Sequence, residues 1–255
     1  FIRMSNVKKE LISGVFFTAI SKYSALIVSL AVNVILARLL SPELFGVMAV
    51  AMVFIAFFNI LCDLGIGPAI IQKDELTLKD YAHIFSLTVW MGIILSFVFF
   101  FSAWLISSWY KNNVLLSVFQ LLSINVLFAT INIVPNALLL KAKEFKFIAT
   151  RTLIIQLLLG VISCTSAYLG FGIYSLLINP ILGSIFVFVV NYNKYPQHFC
   201  WAINIDSIRI IFSFSAYQFL FNFVNYFTRN LDKILIGKYI GMTPLGYYEK
   251  SYRLM

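Results

Sequence analysis

The stretch TLIIQLLLGVISCTSAYLGFGIYSLLINPILGSIFVFVVNYN, from Thr152 to Asn193, decides the fold class. It contains no Asp, Glu, Lys or Arg over 42 residues. As one helix rising about 1.5 Å per residue it would be about 63 Å long, twice the hydrocarbon core of a bilayer at about 30 Å. We therefore predict two membrane-spanning helices, with the reversal at Gly170-Phe171-Gly172.

The rest of the chain has the same apolar character. Of its 255 residues 61% are hydrophobic and 11% are charged, and its mean hydropathy is +0.93. A soluble domain has about 45–50% apolar and about 25% charged residues, so the excess of apolar surface must face lipid. The 26 Phe and 13 Tyr residues suit a membrane-embedded helical bundle with aromatic side chains at its interfaces.

Six further apolar runs flank the central stretch. We place spans at Leu11–Ala37, which only Lys22 interrupts, and at Leu44–Cys62, Ile84–Tyr110, Asn112–Leu140 and Ile208–Ile236, with an eighth beginning near Leu245. Strands of a membrane barrel are about ten residues long and alternate apolar with polar residues, and no such alternation occurs here. We therefore predict an all-α polytopic transmembrane helix bundle, with kinks at Pro135 and Pro180.

The sequence also repeats at an offset of 200 residues. The matching pairs are Ile12-Ser13 with Phe212-Ser213, Val34-Ile35-Leu36 with Ile234-Leu235-Ile236, Arg38 with Lys238, and Leu44-Phe45-Gly46 with Pro244-Leu245-Gly246. Parallel repeats of six spans are a known plan of membrane transporters. We expect 1–207 to form an N-terminal lobe of helices 1–6, and 208–255 to begin a C-terminal lobe that this chain contains only in part.

The loop charges predict the orientation of the bundle. With the N-terminus inside, eleven cations fall on the cytoplasmic side and three outside: Arg3, Lys8, Lys9, Lys73, Lys79, Lys141, Lys143, Lys146, Arg151, Lys194 and Arg209 against Arg38, Lys111 and Lys238. Cytoplasmic loops are the ones enriched in Lys and Arg, so we expect a cytoplasmic N-terminus. The polar segment Gln72–Tyr81 is expected along the membrane surface, and no cleavable signal is read at the N-terminus.

Several other classes of function find little support. The formal net charge of +9 is spread over short loops and forms no stripe for nucleic acid. Cys62, Cys164 and Cys200 have no metal or disulfide spacing, and His83 and His198 lie at span ends. No Walker motif or nucleophile constellation occurs, so we predict no metal, no cofactor and no enzymatic activity.

Ionisable residues inside apolar helices are candidates for function, because each costs about 2.5–3.5 kcal/mol at the membrane centre. Lys22 lies near the middle of the first span, although it can also snorkel or pair with a carboxylate. The spacing of Arg229, Asp232 and Lys233 puts them on one face of the seventh helix, unless they mark its interfacial end. The predicted substrate-binding set is Lys22, Arg229, Lys233, Asp232, Asn33, Asn222 and Asn225.

Four groups of segments carry a resemblance to a known protein family. They are Gly14-Val15-Phe16 with Arg38-Leu39-Leu40-Ser41-Pro42 and Phe45-Gly46, Asp63-Leu64-Gly65-Ile66-Gly67 with Ala69-Ile70-Ile71-Gln72, Pro135-Asn136-Ala137-Leu138-Leu139 with Phe145-Lys146, and Leu231-Asp232-Lys233-Ile234-Leu235-Ile236-Gly237-Lys238 with Leu245-Gly246-Tyr247-Tyr248. Together they resemble the polysaccharide-export branch of the multidrug/oligosaccharidyl-lipid/polysaccharide flippase superfamily. Their order and spacing cover nearly the whole chain.

The resemblance implies a V-shaped flippase of about 12–14 spans in the bacterial inner membrane, working by alternating access. Its implied substrate is an undecaprenyl-pyrophosphate-linked oligosaccharide for O-antigen, capsule, teichuronic acid or exopolysaccharide. The implied partners are this lipid-linked oligosaccharide, membrane lipids, a polysaccharide polymerase and a chain-length regulator, with no nucleic acid. The alternatives are a drug/cation antiporter of the same superfamily, a membrane polysaccharide polymerase or ligase, and a non-transporting structural membrane protein.

Overall fold

The computed structural model describes residues 22–73, 76–201 and 205–252, with 205–218 described as backbone. Within these ranges every regular element is helical. The helices are α1 (Lys22–Leu39), α2 (Pro42–Asp63), α3 (Ile66–Gln72), α4 (Leu78–Tyr110), α5 (Val114–Ile131), α6 (Ile133–Lys141), α7 (Phe145–Tyr168), α8 (Ile173–Lys194), α9 (Ile205–Leu235), a π-helical turn (Ile236–Ile240) and α10 (Met242–Tyr252).

Six of these helical segments are long and apolar enough to cross a membrane. They are Lys22–Leu39, Pro42–Asp63, Leu78–Tyr110, Val114–Lys141, Phe145–Tyr168 and Ile173–Lys194. This confirms the prediction of an all-α polytopic bundle and of the second to sixth spans. The first span is described only from Lys22 onward, and α9, which was predicted as a seventh span, is not among the six. Some predictions concern residues 1–21, which lie outside the described residues. They include the Ile12-Ser13 match and the cations Arg3, Lys8 and Lys9. The side chain of Arg209 is likewise outside the described part of the chain.

Two of the predicted boundaries differ from the structure. The third span was expected from Ile84, but α4 begins at Leu78, because Thr77 and Asp80 form a capping box that satisfies the free N–H groups of its first turn. The fourth span is divided at Asn132 into α5 and α6. The division lies one turn before Pro135, whose missing N–H cannot continue the helical hydrogen bonds.

The reversal in the charge-free stretch lies where it was predicted. Gly170 and Gly172 have φ angles of 87° and 57°, which are left-handed values that side chains with a Cβ rarely adopt. A Cβ at either position would meet nothing within 4 Å, so the backbone conformation rather than crowding requires glycine. The turn therefore separates α7 from α8 and lets them pack as neighbours.

The main core lies where α2, α4 and α5 meet. The ring of Phe99 stacks on Phe119 at 5.0 Å and meets Phe58 edge-on at 4.9 Å, and the first two rings are fully buried. Lipid tails are as apolar as phenylalanine, so transfer from water contributes little to helix association inside the membrane. Dense ring packing and hydrogen bonds between helices therefore hold this part of the bundle together.

A lysine secures the short helix α3. The Lys141 ammonium donates to the carbonyl oxygen of Ile70 at 3.0 Å, to the carbonyl of Lys73, and to the Tyr81 hydroxyl at 3.2 Å. Carbonyls at a helix end have no partner within the helix and carry the negative end of its dipole. Lys141 therefore joins the end of α6 to the loop between α3 and α4. The contact brings together Lys141 and Lys73, which were predicted on the same side of the membrane.

We expect Lys141→Met to lower the free energy of unfolding by about 1–2 kcal/mol, because three polar groups lose a charge-assisted donor at a partly exposed site. Thermal unfolding of the purified full-length protein in detergent measures the change. The control is Lys143→Met, two residues away, where the lysine side chain is exposed. Equal melting temperatures for the two variants would contradict a capping role for Lys141.

Candidate functional site

Two glycines allow α2 and α10 to cross with their backbones in contact. A Cβ built on Gly46 would lie 1.8 Å from the carbonyl oxygen of Met242, and one built on Gly246 would lie 1.9 Å from the carbonyl oxygen of Pro42. Real Cβ atoms do not approach an oxygen so closely, so only glycine fits at either position. Small residues at a crossing let membrane helices pack at close range, which compensates for the weak hydrophobic drive in lipid.

The crossing is reciprocal in sequence as well as in space. Gly46 faces Met242, and Gly246 faces Pro42. Gly46 and Gly246 are 200 positions apart in the sequence, and so are Pro42 and Met242. The sequence matches described above have the same offset of 200 residues. Lys250 strengthens the contact, since its ammonium lies 4.2 Å from the centre of the Phe45 ring.

The end of α9 is tied to α10 by two polar contacts. The Lys233 ammonium lies 2.8 Å from a Glu249 carboxylate oxygen, and their side chains are only 15% and 13% exposed. The Tyr248 hydroxyl donates to the Asp232 carboxylate, which also accepts from the backbone N–H of Lys233 at 2.8 Å. Two charges removed from water in this way require each other, because either one alone would be costly to bury.

The structure brings together only part of the predicted substrate-binding set. Asp232 and Lys233 meet α10, and Asn33 lies on the inner face of α1, where its amide donates to the Ser29 carbonyl at 2.8 Å. The side chains of Lys22, Arg229 and Asn225 are exposed, and that of Asn222 is half-buried. Within the part of the chain that is described, Asp232 pairs with Tyr248 and forms no ion pair with Arg229.

A cavity of about 290 Å³ with a mixed polar and apolar lining lies beside this cluster, between α1, α2, α7, α8 and the Glu249 end of α10. Its polar lining comprises Ser29, Asn33, Gln156, Ser163, Ser175, Asn179 and Glu249. The Gln156 amide donates to the Ala25 carbonyl at 2.8 Å, which fixes this side chain between α7 and α1. Its apolar lining includes Phe45, Met48 and Met52 of α2.

The sequence contained a signal for this cavity that charge alone did not reveal. Its polar residues recur within apolar runs at spacings that put them on one helical face: Ser29 and Asn33 four apart, Gln156 and Ser163 seven apart, and Ser175 and Asn179 four apart. Each set puts uncharged polar groups on one face of its helix. Glu249, Tyr248 and Lys250 were also missed, because their partners Lys233, Asp232 and Phe45 lie on other helices.

Six apolar helices of membrane length define a polytopic membrane protein. Its helices also enclose a cavity, and a largely buried ion pair joins α9 to α10. The family model described as "Polysaccharide biosynthesis protein" matches residues 35–255. The chain therefore belongs to the polysaccharide biosynthesis protein family, which confirms the resemblance drawn from its motifs.

Curated relatives agree with this assignment. The chain is 25% identical to teichuronic acid biosynthesis protein TuaB of Bacillus subtilis strain 168, covering 99% of this chain and 53% of that protein. It is 24% identical to lipopolysaccharide biosynthesis protein WzxC of Escherichia coli strain K12, covering 98% and 51%. It is 23% identical to succinoglycan biosynthesis transport protein ExoT of Rhizobium meliloti strain 1021, covering 86% and 44%. The chain thus spans about half the length of the curated relatives it matches, and no solved structure matches it.

Proposed function

We propose that this chain forms the first lobe and the start of the second lobe of a flippase for lipid-linked oligosaccharides. The observation that carries the proposal is the family match over residues 35–255, which covers five of the six membrane-length helices completely. The relatives' names, which include teichuronic acid, lipopolysaccharide and succinoglycan biosynthesis, support a role in the assembly of surface polysaccharides.

The proposed substrate is an undecaprenyl-pyrophosphate-linked repeat unit, moved across the bacterial inner membrane by alternating access, with the N-terminus cytoplasmic. Exposed cations on α1 and α9 support this choice, because the side chains of Lys22 and Arg229 lie at the surface of the described part of the chain, where a pyrophosphate or acidic sugars can reach them. Lys233 has its charge balanced by Glu249 and is therefore a weaker candidate for direct contact. The polyprenyl tail would remain in lipid while the head group passes between the lobes.

We expect Lys22→Ala and Arg229→Ala in the full-length protein each to reduce polymer export about tenfold, the factor lost with one charge-assisted hydrogen bond. Surface polysaccharide is measured in cells that lack the chromosomal gene and carry each variant at equal membrane abundance. Lys22→Arg should restore export, since it keeps the charge.

The matched control is Lys79→Ala, which removes an exposed lysine at the first turn of α4. It should export as the native protein does. Full export by both Lys22→Ala and Arg229→Ala would contradict the assignment of these two cations. A native protein that supports drug resistance but no polymer export would contradict the flippase function itself.

A further inference from the structure

Two serines in the cavity depart from the pattern that many helical serines among the described residues follow. Ser163 and Ser175 are 2% and 0% exposed, yet neither hydroxyl has a hydrogen-bond partner among the described residues. A serine in a helix ordinarily donates to the carbonyl three or four residues earlier. Ser86, Ser102 and Ser184 all do so, at 2.7–2.9 Å.

Leaving a buried hydroxyl without a partner costs free energy, so such a group calls for an explanation. Ser163 and Ser175 come from neighbouring helices, α7 and α8, and both line the same cavity. They lie with the side chains of Asn33, Gln156 and Asn179 around one space. Two unused hydroxyls among neighbouring amides are the arrangement expected for a ligand that carries several hydroxyl groups.

The charges of the cavity select a neutral ligand. Glu249 is the one charged side chain among the described residues that line it, and its carboxylate is balanced by Lys233 at 2.8 Å. An anionic pyrophosphate would therefore meet no free cation there, and a bare metal cation would have to compete with a lysine for the carboxylate. Hydroxyls and amides, in contrast, recognise uncharged hydroxyl groups without a cost in charge burial.

The size and shape of the cavity narrow the ligand further. Ligand pockets in proteins usually enclose about 300–1,000 Å³, and 290 Å³ lies at the lower limit of that range. A single pyranose ring suits this volume better than a chain of sugars. Phe45, Met48 and Met52 in the lining offer apolar surface for the C–H face of such a ring.

We propose that the cavity between α1, α2, α7 and α8 is a subsite for one sugar ring of the carried saccharide, bound by the hydroxyls of Ser163 and Ser175 and by the neighbouring amides. This inference rests on the proposed function, because it names the part of the lipid-linked substrate that the first lobe recognises. Recognition of the sugar and of the pyrophosphate then occupies separate places on the protein.

The test is saturation-transfer NMR on the purified full-length protein in nanodiscs, with free glucose, galactose and N-acetylglucosamine as probes. At least one pyranose should give a signal that excess sodium chloride does not displace. The double variant Ser163→Ala with Ser175→Ala should weaken the apparent affinity about tenfold, the factor that two ordinary hydrogen bonds supply. Thr165→Ala is the control, since this exposed residue of α7 bonds its own helix.

The melting temperature distinguishes binding from a structural role. Because the two hydroxyls have no partner among the described residues, the double variant should unfold at the native temperature or above it. A lower melting temperature would assign the serines to the fold and overturn the proposal. An unchanged pyranose signal in the double variant would also overturn the proposal, and so would the absence of a signal from every pyranose. It would be overturned as well if sodium chloride without sugar gave a response that the double variant abolishes. Absence of export by the native protein, measured in cells, would instead remove the proposed function.

Discussion

Gly46→Ala and Gly246→Ala should each lower the free energy of unfolding of the full-length protein by about 3 kcal/mol, and Gly46→Val should prevent assembly of the fold. A Cβ at these positions would lie 1.8 Å and 1.9 Å from backbone carbonyl oxygens, which no change of rotamer can move. The helices α2 and α10 must then separate, and overpacking that displaces backbone costs about 1–3 kcal/mol or more. The contacts of Phe45 with Lys250 would be lost with the crossing.

The control for these variants is Gly183→Ala in α8. There a Cβ would meet the nearest side-chain atom, on Leu159, at 3.5 Å, an ordinary contact distance. Alanine also favours a helix over glycine by about 0.8–1 kcal/mol, so this variant should be neutral or more stable. Thermal unfolding in detergent measures the melting temperatures of Gly46→Ala, Gly246→Ala and Gly183→Ala. If Gly46→Ala and Gly246→Ala melt with Gly183→Ala, the backbone contact between α2 and α10 does not exist in the membrane protein.

Glu249→Gln should be destabilising by about 3–5 kcal/mol, because it leaves the Lys233 ammonium buried without its counter-charge. The side chains of this pair are 15% and 13% exposed, so water can replace the missing carboxylate only in part. The double variant Lys233→Met with Glu249→Gln should recover most of the loss, since removal of both charges leaves nothing uncompensated. A double-mutant cycle on melting temperatures gives the coupling between the two residues.

The exposed cation Arg229 supplies the comparison for this cycle. It lies one turn before Lys233 on α9, so Arg229→Met removes a charge without breaking a buried pair. Its melting temperature should stay close to that of the native protein, even where export falls. If Glu249→Gln were as stable as Arg229→Met, the ion pair would contribute nothing to the junction of α9 with α10.

The interpretation of the three polar residues on α9 shows where prediction from sequence stopped. Their spacing of three and four residues predicted that Arg229, Asp232 and Lys233 share one face of the helix. It could not show that Lys233 would meet Glu249, or that Asp232 would accept from Tyr248. Those partners come from α10, and contacts between helices depend on how the helices pack.

The sugar cavity was missed for a related reason. Ionisable groups were sought because a charge in lipid is costly, whereas serine, asparagine and glutamine carry smaller penalties and attract less notice. Ser163 and Ser175 gain meaning only when α7 and α8 bring both hydroxyls to one space without partners among the described residues. A role of the predicted substrate-binding residues in transport stays a prediction, and the export assay tests it.

Hydropathy along the chain was enough to predict the class of protein, the second to sixth membrane-length helices and the turn at Gly170-Phe171-Gly172. Hydropathy acts locally, because each segment must satisfy its backbone hydrogen bonds and match the lipid around it. Which face of each helix turns inward became visible only in the packed bundle. These helices are apolar on nearly every side, so no amphipathic stripe fixes their rotation, and close contacts such as Gly46 with Met242 and Lys233 with Glu249 do so instead.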